Sequence, residues 1–334
     1  MSDDRQFSVL DGMRGVAALI VMQRHTGEAF GTRIFSGGYL AVDFFFALSG
    51  FVLAYAYDER LAAGLPWYRF MLLRLIRLYP LYLAGVLLLV LATPSLWPDV
   101  GGLLAKALLF LPDGTLASRG WLVPPAWSLA FELVVNLGFA FGHRYLTSRT
   151  LLAIVAVAGA ALAVTAVRHG NLDTGYNIDT LGSGLARAAF SFPMGILLFR
   201  HRNLFASWPV VTGALPILAL VMALWVASQG LTAARDLAIV MLALPLLLVL
   251  GSTAKVGPRG QWWMLRLGAA SYAIYVLHGG AIALVQRMGW DAGFVPAGLF
   301  MAAMLVIGAL LDRYADLPLR RGLTTHLVLN PSAS

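Results

Sequence analysis

Long apolar runs separated by short polar segments make up almost the whole chain. Apolar runs of about 17–22 residues are long enough to cross a lipid bilayer as helices. The pattern therefore predicts an all-α, polytopic membrane protein with ten spans, at 10–28, 37–57, 71–92, 124–143, 150–167, 182–199, 208–228, 234–252, 267–286 and 294–314. Segment 101–112 is apolar but short. It is interpreted as a re-entrant or interfacial helix, with an eleventh span as the alternative.

The composition supports this interpretation. Of the 334 residues, 60% are hydrophobic and 12% are charged, whereas soluble domains have about 25% charged residues. The net charge of +8 comes from basic residues scattered at the ends of apolar segments, so nucleic acid is not an expected partner. No appended soluble domain is visible, and residues 1–334 are expected to form one domain embedded in the lipid bilayer.

The basic residues also set the expected orientation, because cytoplasmic loops are enriched in lysine and arginine. If the N-terminus is cytoplasmic and the spans alternate, 16 of the 24 basic residues lie on the cytoplasmic side. Both termini are then cytoplasmic, and a multi-pass protein of the inner (cytoplasmic) membrane is expected. The N-terminal sequence MSDDRQF lacks the pattern of a cleavable signal peptide, so the first helix is expected to be retained.

The chain has no cysteine, which excludes disulfides, thiolate metal sites and a cysteine nucleophile. The histidines outside the spans do not form a ligand set with His25, and no glycine-rich phosphate-binding loop of Rossmann or Walker type occurs. Neither a metal ion nor a permanently bound cofactor is therefore predicted.

The first predicted span is unusually polar. Its sequence LDGMRGVAALIVMQRHTGE places Asp11, Arg14, Arg24, His25 and Glu28 around a short apolar core. Charges at membrane depth are costly unless paired or hydrated, so this helix is expected to be buried among others and to line a polar cavity. Arg14 and His25 are eleven positions apart, about three turns or ~16 Å, and point to nearly the same side. A structural polar pair is the alternative interpretation.

Other spans also carry polar residues that lipid would disfavour. They are Asp43 in the second span, Arg74 and Arg77 in the third, Trp127, Ser128 and Glu132 in the fourth, and Tyr272 and His278 in the ninth. With alternating spans, the three arginines at 14, 74 and 77 gather on the cytoplasmic side, whereas the histidines and carboxylates lie further out. A basic cluster can bind a phosphate-bearing donor. An imidazole–carboxylate pair can transfer protons.

Structural alternatives remain open for most of these residues. Arg74 and Arg77 can be simple membrane anchors on the cytoplasmic side. Asp43 can pair with Arg14 or Arg24, and His278 can be a packed histidine that binds a backbone carbonyl. Glu132 lies several residues inside an apolar span and is interpreted as functional.

The polar motifs resemble, in order, those of the acyltransferase-3 family of integral membrane acyltransferases. Arg14 and His25 match its signature of an arginine followed, after ten residues, by a histidine. The further motifs are GYLAVDFFFALSGFVLAY, LLRLIRLYPLY, AWSLAFELVVN, LGAASYAIYVLH and YADLPLRR. Because they extend over essentially the whole chain, the resemblance covers all the predicted spans.

The resemblance implies transfer of an acyl group, commonly acetyl, from cytoplasmic acyl-coenzyme A to a hydroxyl group. The implied acceptors are sugars of lipopolysaccharide, exopolysaccharide or another cell-envelope glycan, and some small hydroxylated molecules. A polytopic transporter or flippase of a glycan or lipid-linked substrate is the alternative function.

The resemblance and the polar pattern together define the expected site. Arg74 and Arg77 bind the donor phosphates, and Arg14 lies nearer the thioester. His25 acts as the general base, supported by Glu132 or Asp43. The residues expected to bind the acceptor or to support the site are Asp43, Trp127, Ser128, Tyr272 and His278. Direct transfer is expected, with a covalent acyl-histidine as the alternative.

Overall fold

The computed structural model describes residues 7–114, 120–230 and 232–329, and this part of the chain is all-α. Its eleven helices are α1 Ser8–Phe30, α2 Ala41–Ala62, α3 Trp67–Ala92, α4 Val100–Leu108, α5 Ala126–Gly142, α6 Ser148–His169, α7 Leu181–Arg200, α8 Ala214–Ala227, α9 Ala233–Thr253, α10 Pro258–Arg287 and α11 Phe294–Val328. The predicted cytoplasmic ends, 1–6 and 330–334, lie outside the described residues.

Each of the ten predicted spans overlaps one of these helices. Seven helices in the described ranges are long and apolar enough to cross a membrane, namely α2 with the preceding turn, α3, α6, α7, α9, α10 and α11. Helices α5 and α8 are shorter, with 17 and 14 residues, and α1 carries the charges noted above. For these three helices, membrane crossing stays a prediction.

Segment 101–112 contains the nine-residue helix α4. Nine residues rise only ~14 Å, which is about half of the hydrocarbon core of a bilayer. The interpretation as a re-entrant or interfacial helix therefore fits the structure, and an eleventh complete span does not.

Helix α1 is internal, as its polar residues required. Of its 23 residues, 15 are buried, and it packs most extensively against α10 and also against α2, α8 and α11. The polar groups of α1 thereby face other helices, and α10 lies beside both Arg14 and His25.

Helices α2 and α7 approach each other closely at two glycines. A Cβ atom added to Gly195 would lie 1.9 Å from the Ala47 carbonyl oxygen, and one added to Gly50 would lie 2.0 Å from the Phe192 carbonyl oxygen. Small residues allow such contacts between helices in membranes. These two glycines therefore set the distance between α2 and α7.

Candidate active site

Among the described residues, two adjoining cavities contain most of the polar side chains singled out by the sequence. The first, here called the arginine cavity, has a volume of about 150 Å³ and is bounded by α1, α2, α3, α5 and α10. Its polar lining consists of Arg14, Ser49, Arg74, Arg77, Ser128, Glu132, Ser271, Tyr272 and Tyr275. The rest of the lining is apolar. This cavity thus combines a basic end with space for an uncharged chain.

The second cavity, here called the histidine cavity, has a volume of about 320 Å³. Its polar and aromatic lining consists of Arg24, His25, Glu28, Tyr39, Trp127, Asp173, Tyr176, Asn177, Tyr275 and His278. Val42 of α2 and Tyr275 of α10 line both cavities. The two cavities therefore adjoin at the side chains of these two residues.

Arg14 is anchored to α10. Its Nε donates to Ser271 Oγ at 3.1 Å, its Nη2 donates to the Gly268 carbonyl oxygen at 3.0 Å, and the same nitrogen lies 2.8 Å from Asp11 Oδ1. These contacts hold the guanidinium at the arginine cavity.

Glu132 also lies in the arginine cavity. Its Oε1 accepts a hydrogen bond from Arg74 Nη2 at 2.7 Å and another from Ser49 Oγ at 3.0 Å. The expected position of Glu132 beside His25 is therefore wrong. Helix α5 begins at Ala126 at the histidine cavity, and six residues of rise carry Glu132 ~9 Å further along, to the arginines.

The side chain of Arg77 is held in place by an acidic residue of the last helix, α11. Its Nη1 lies 3.6 Å from Asp316 Oδ2, and its guanidinium lies over the Tyr272 ring, 5.7 Å from the centroid. Asp316 ends a π-helical turn, Asp312–Asp316, within α11. The Tyr272 hydroxyl donates to the Leu78 carbonyl oxygen at 2.6 Å. Three arginines and one carboxylate line the arginine cavity, so its lining carries an excess of positive charge.

His25 lies at the histidine cavity with a carboxylate from its own helix. Its Nδ1 is 3.8 Å from Glu28 Oε2. Its ring is stacked on that of His278, with 5.1 Å between centroids and 25° between planes. His25 and His278 therefore lie side by side, as the sequence predicted.

His278 is fully buried, and its Nδ1 lies 3.1 Å from the Ile274 carbonyl oxygen. A carbonyl oxygen can only accept, so Nδ1 donates and the neutral ring carries its proton there. The other nitrogen, Nε2, has no hydrogen-bond partner within the described ranges. The alternative interpretation of His278 as a packed histidine bound to a carbonyl therefore also fits.

Arginines surround the other side of Glu28. Arg33 Nη1 donates to Glu28 Oε1 at 2.9 Å, and Arg24 Nε lies 3.9 Å from the same oxygen. Arg24 Nη2 also donates to Asp173 Oδ2 at 2.7 Å. Glu28 thus lies between His25 and two cations. Throughout the described residues, no group of three metal-ligating side chains comes together.

Asp43 contacts neither His25 nor the arginines at 14 and 24. It forms a fully buried ion pair with Arg187, with 2.6 Å between Asp43 Oδ2 and Arg187 Nη2. Arg187 also donates to the carbonyl oxygens of Tyr39 and Thr174, both at 2.8 Å, and lies over the Trp127 ring. The expected support of His25 by Asp43 is therefore wrong. Asp43 instead helps Arg187 to hold the walls of the histidine cavity.

The remaining predicted residues divide between the cavities. Trp127 lines the histidine cavity, whereas Ser128 and Tyr272 line the arginine cavity. Ser128 Oγ donates to the Pro125 carbonyl oxygen at 2.8 Å and lies 2.7 Å from the Tyr275 hydroxyl. Ser128 therefore connects α5 to the side chain that separates the two cavities.

Sequence reasoning missed Glu28 as the partner of His25, and it missed Arg187. The spacing of three residues on one helix could have identified Glu28. Arg187 lies inside the predicted span 182–199, so the rule that singles out charges at membrane depth applied to it as well. Its pairing with Asp43, 144 residues away, had no local signal.

Comparison with known proteins gives two kinds of match. The acyltransferase-3 family model, described as an acyltransferase domain, matches residues 7–313. This range contains all the residues that line the two cavities. No solved structure matches the chain.

Two curated proteins are similar to the chain. Protein 2 in picA locus, from Rhizobium radiobacter, is 43% identical over 188 residues, which cover 49% of this chain and 97% of that protein. Acyltransferase MdmB, from Streptomyces mycarofaciens, is 28% identical over 372 residues, which cover 93% of this chain and 91% of that protein. The second similarity thus extends over nearly the full length of both chains.

Proposed function

Because this chain belongs to the acyltransferase-3 family and is a multi-pass membrane acyltransferase, we propose that it transfers a short acyl group, acetyl in the simplest case, from acyl-coenzyme A to a hydroxyl group of a carbohydrate or cell-envelope glycan. The observation that carries this proposal is the pair of adjoining cavities, one basic and one containing His25 with its carboxylate. The proposed location is the inner membrane, with the arginine cavity towards the cytoplasm.

The arginine cavity suits the donor. Arg74 and Arg77 present guanidinium groups that can bind phosphate oxygens with charge-assisted hydrogen bonds. Glu132 holds Arg74 in position, and Asp316 does the same for Arg77. The apolar remainder of the lining accommodates the uncharged arm of coenzyme A, and the proposal assigns Arg14 to the thioester end of that arm.

The histidine cavity suits a hydroxylated acceptor. Trp127 and Tyr176 offer aromatic surfaces, and Asp173 and Asn177 offer hydrogen-bonding groups, so both the CH and the OH groups of a sugar find partners. The acceptor class remains a proposal that rests on this lining and on the family.

His25 serves as the general base in this scheme. It removes the proton of the acceptor hydroxyl while the hydroxyl oxygen attacks the thioester carbonyl. The new ester bond forms, the carbon–sulfur bond breaks, and coenzyme A leaves as a thiolate that takes up a proton. Glu28, 3.8 Å from His25 Nδ1, stabilises the imidazolium that forms.

The test is acetyl-coenzyme A turnover by purified protein in nanodiscs, with and without a mixture of cell-envelope glycans as acceptor. The proposal predicts release of free coenzyme A and labelled ester only when acceptor is present. Acyl label retained by the protein without acceptor would instead indicate an acyl-histidine. Absence of both acetyl-coenzyme A binding and turnover would reject the proposal in favour of the transporter or flippase.

A further inference from the structure

Two side chains at the boundary between the cavities, Val42 and Tyr275, have no role in the proposed reaction so far. Val42 and Tyr275 line both cavities and are themselves buried, with 5% and 7% of their surfaces exposed. Here they are called the partition. The partition is one side chain thick, and it lies between the arginines at one end and His25 at the other.

Hydrogen bonds fix the Tyr275 side chain in this position. Ser128 Oγ has a single proton, and it donates that proton to the Pro125 carbonyl oxygen, which can only accept. The Tyr275 hydroxyl, 2.7 Å away, therefore donates to Ser128 Oγ. The Tyr275 ring also packs edge-on against Phe45, with 5.3 Å between centroids. Contacts with α5 and α2 thus hold the Tyr275 ring in the partition.

The reaction requires the partition to open. Reacting atoms must approach to about 3–3.5 Å, yet the donor phosphates bind in one cavity and the base lines the other. The acyl group is the leading end of the donor as it moves from the arginine cavity towards His25. It therefore has to pass between Val42 and Tyr275 ahead of the thioester carbonyl, and each added methylene has to pass as well.

From this arrangement we propose that Tyr275 is a specificity-determining residue that selects short acyl groups by limiting the opening between the two cavities. This inference rests on the proposed use of acyl-coenzyme A. Acetyl passes when the tyrosine ring shifts slightly, whereas a longer chain meets the ring and the Val42 side chain. Ser128 is a positioning residue, since it acts only through the Tyr275 hydroxyl.

The first experiment compares kcat/KM for acetyl-, butyryl- and octanoyl-coenzyme A. Tyr275→Ala removes the ring and is expected to raise the octanoyl-to-acetyl ratio about ten-fold or more, because one methylene in a tight pocket already changes rates about ten-fold. Tyr275→Phe keeps the ring but loses the hydrogen bond to Ser128, so its ratio is expected to lie between those of the wild type and Tyr275→Ala. The control Val52→Ala enlarges the arginine cavity away from the partition and is expected to keep the wild-type octanoyl-to-acetyl ratio. An unchanged ratio in Tyr275→Ala, or an equal rise in Val52→Ala, would overturn the proposal.

A second experiment tests the partition without any turnover. Because the chain has no cysteine, single cysteines can be placed in each cavity, as Ser49→Cys in the arginine cavity and Val21→Cys in the histidine cavity. A charged thiol reagent is applied to each face of sealed vesicles. The two cysteines are expected to react from opposite faces, and adding Tyr275→Ala is expected to speed labelling of Val21→Cys from the face that labels Ser49→Cys.

The two experiments separate the two proposals. Equal labelling of both cysteines from one face, with Tyr275 intact, would show that no partition exists. Labelling from opposite faces, combined with no turnover of any acyl-coenzyme A, would leave the partition in place and reject both the acyl-coenzyme A function and the acyl selection.

Discussion

His25 takes its carboxylate partner from its own helix. Glu28 lies one turn further along α1, and its two carboxylate oxygens divide between His25 and Arg33. The stacked ring of His278 covers one face of the imidazole. His25 is thereby oriented by neighbours whose positions depend on α1 and α10, the pair of helices with the most extensive contact.

Replacing Glu28 tests this arrangement. Glu28→Gln keeps the shape of the side chain but removes the charge that stabilises an imidazolium, so kcat is expected to fall about 10–100-fold. The KM for acyl-coenzyme A is expected to change little, because Glu28 lines only the histidine cavity. Steady-state kinetics measures both parameters, and Glu59→Gln, an exposed glutamate on α2, is the control. A kcat equal to that of the control would contradict the role of Glu28.

The donor site has its own test at the residue level. Arg77→Gln removes a guanidinium from the arginine cavity, and a lost charge-assisted hydrogen bond is worth about 1.5–3 kcal/mol. Binding of acyl-coenzyme A is therefore expected to weaken about ten-fold or more, as measured by calorimetry. Arg69→Gln changes an exposed arginine on the same helix α3 and should bind like the wild type. Equal weakening in both variants would argue against donor binding at Arg77.

The residues that sequence reasoning could place are those whose partners are close along the chain. Arg14 and His25 share a helix, so their common side followed from the helical rise, and the same argument reaches Glu28. Glu132 and Asp43 pair with arginines 58 and 144 residues away. Such pairings depend on how α5 and α7 pack against the other helices, and hydrophobic periodicity contains no information about that packing.

At the level of helices, α2 and α7 form an interface next to the histidine cavity, which Val42 of α2 lines. Their close contact depends on Gly50 and Gly195, and the Asp43–Arg187 pair lies in the same interface. Arg187 then extends the interface to Tyr39 and Thr174 by hydrogen bonds to their carbonyl oxygens. The walls of the histidine cavity near His25 therefore depend on the α2–α7 interface, although no residue of that interface is proposed to react.

A glycine substitution tests the α2–α7 contact. Gly195→Ala places a Cβ 1.9 Å from a backbone oxygen of α2, and overpacking of this kind costs about 1–3 kcal/mol. The melting temperature in detergent is expected to fall. Gly138→Ala, on α5 with open space around its Cβ, should leave stability equal or slightly higher, since alanine favours a helix over glycine. Equal melting temperatures for the two variants would show that the contact is looser than described.

The buried Asp43–Arg187 ion pair leads to a prediction about the stability of single and double variants. Asp43→Leu leaves Arg187 unpaired in a buried position, which is expected to cost about 3–5 kcal/mol. The double variant Asp43→Leu with Arg187→Met removes both charges and should recover much of that loss. Thermal unfolding of both proteins gives the comparison. A double variant less stable than the single one would mean that the hydrogen bonds of Arg187 matter more than its charge.

The helices themselves were predictable, because runs of apolar residues are long and are ended by arginines, prolines or glycines. Helix α1 was the harder case, since its charges keep it out of the group of long apolar helices. Its burial among neighbours followed from the cost of charge in lipid. The continuation of α11 through a π-helical turn to Asp316 was not predictable, and that turn is what brings a carboxylate to Arg77.

For the whole molecule, the central feature is that the arginines and the histidines line different cavities, which meet at the partition. Positive charge gathers in the arginine cavity, and the imidazoles with Glu28 gather in the histidine cavity. In the proposed reaction, the phosphates of the donor stay at the arginine cavity while its acyl group reaches the histidine cavity. The proposal thus assigns donor and acceptor to different cavities of one helix bundle.

This division of roles is tested most directly by measuring acetyl-coenzyme A binding and turnover on the same His25→Ala protein, with His169→Ala, an exposed histidine at the end of α6, as the control. We expect His25→Ala to bind acetyl-coenzyme A as the wild type does but to lose turnover by about a hundred-fold or more, while the control keeps both. If His25→Ala retained wild-type turnover, or lost binding together with turnover while remaining folded, the assignment of base and donor to separate cavities would be contradicted.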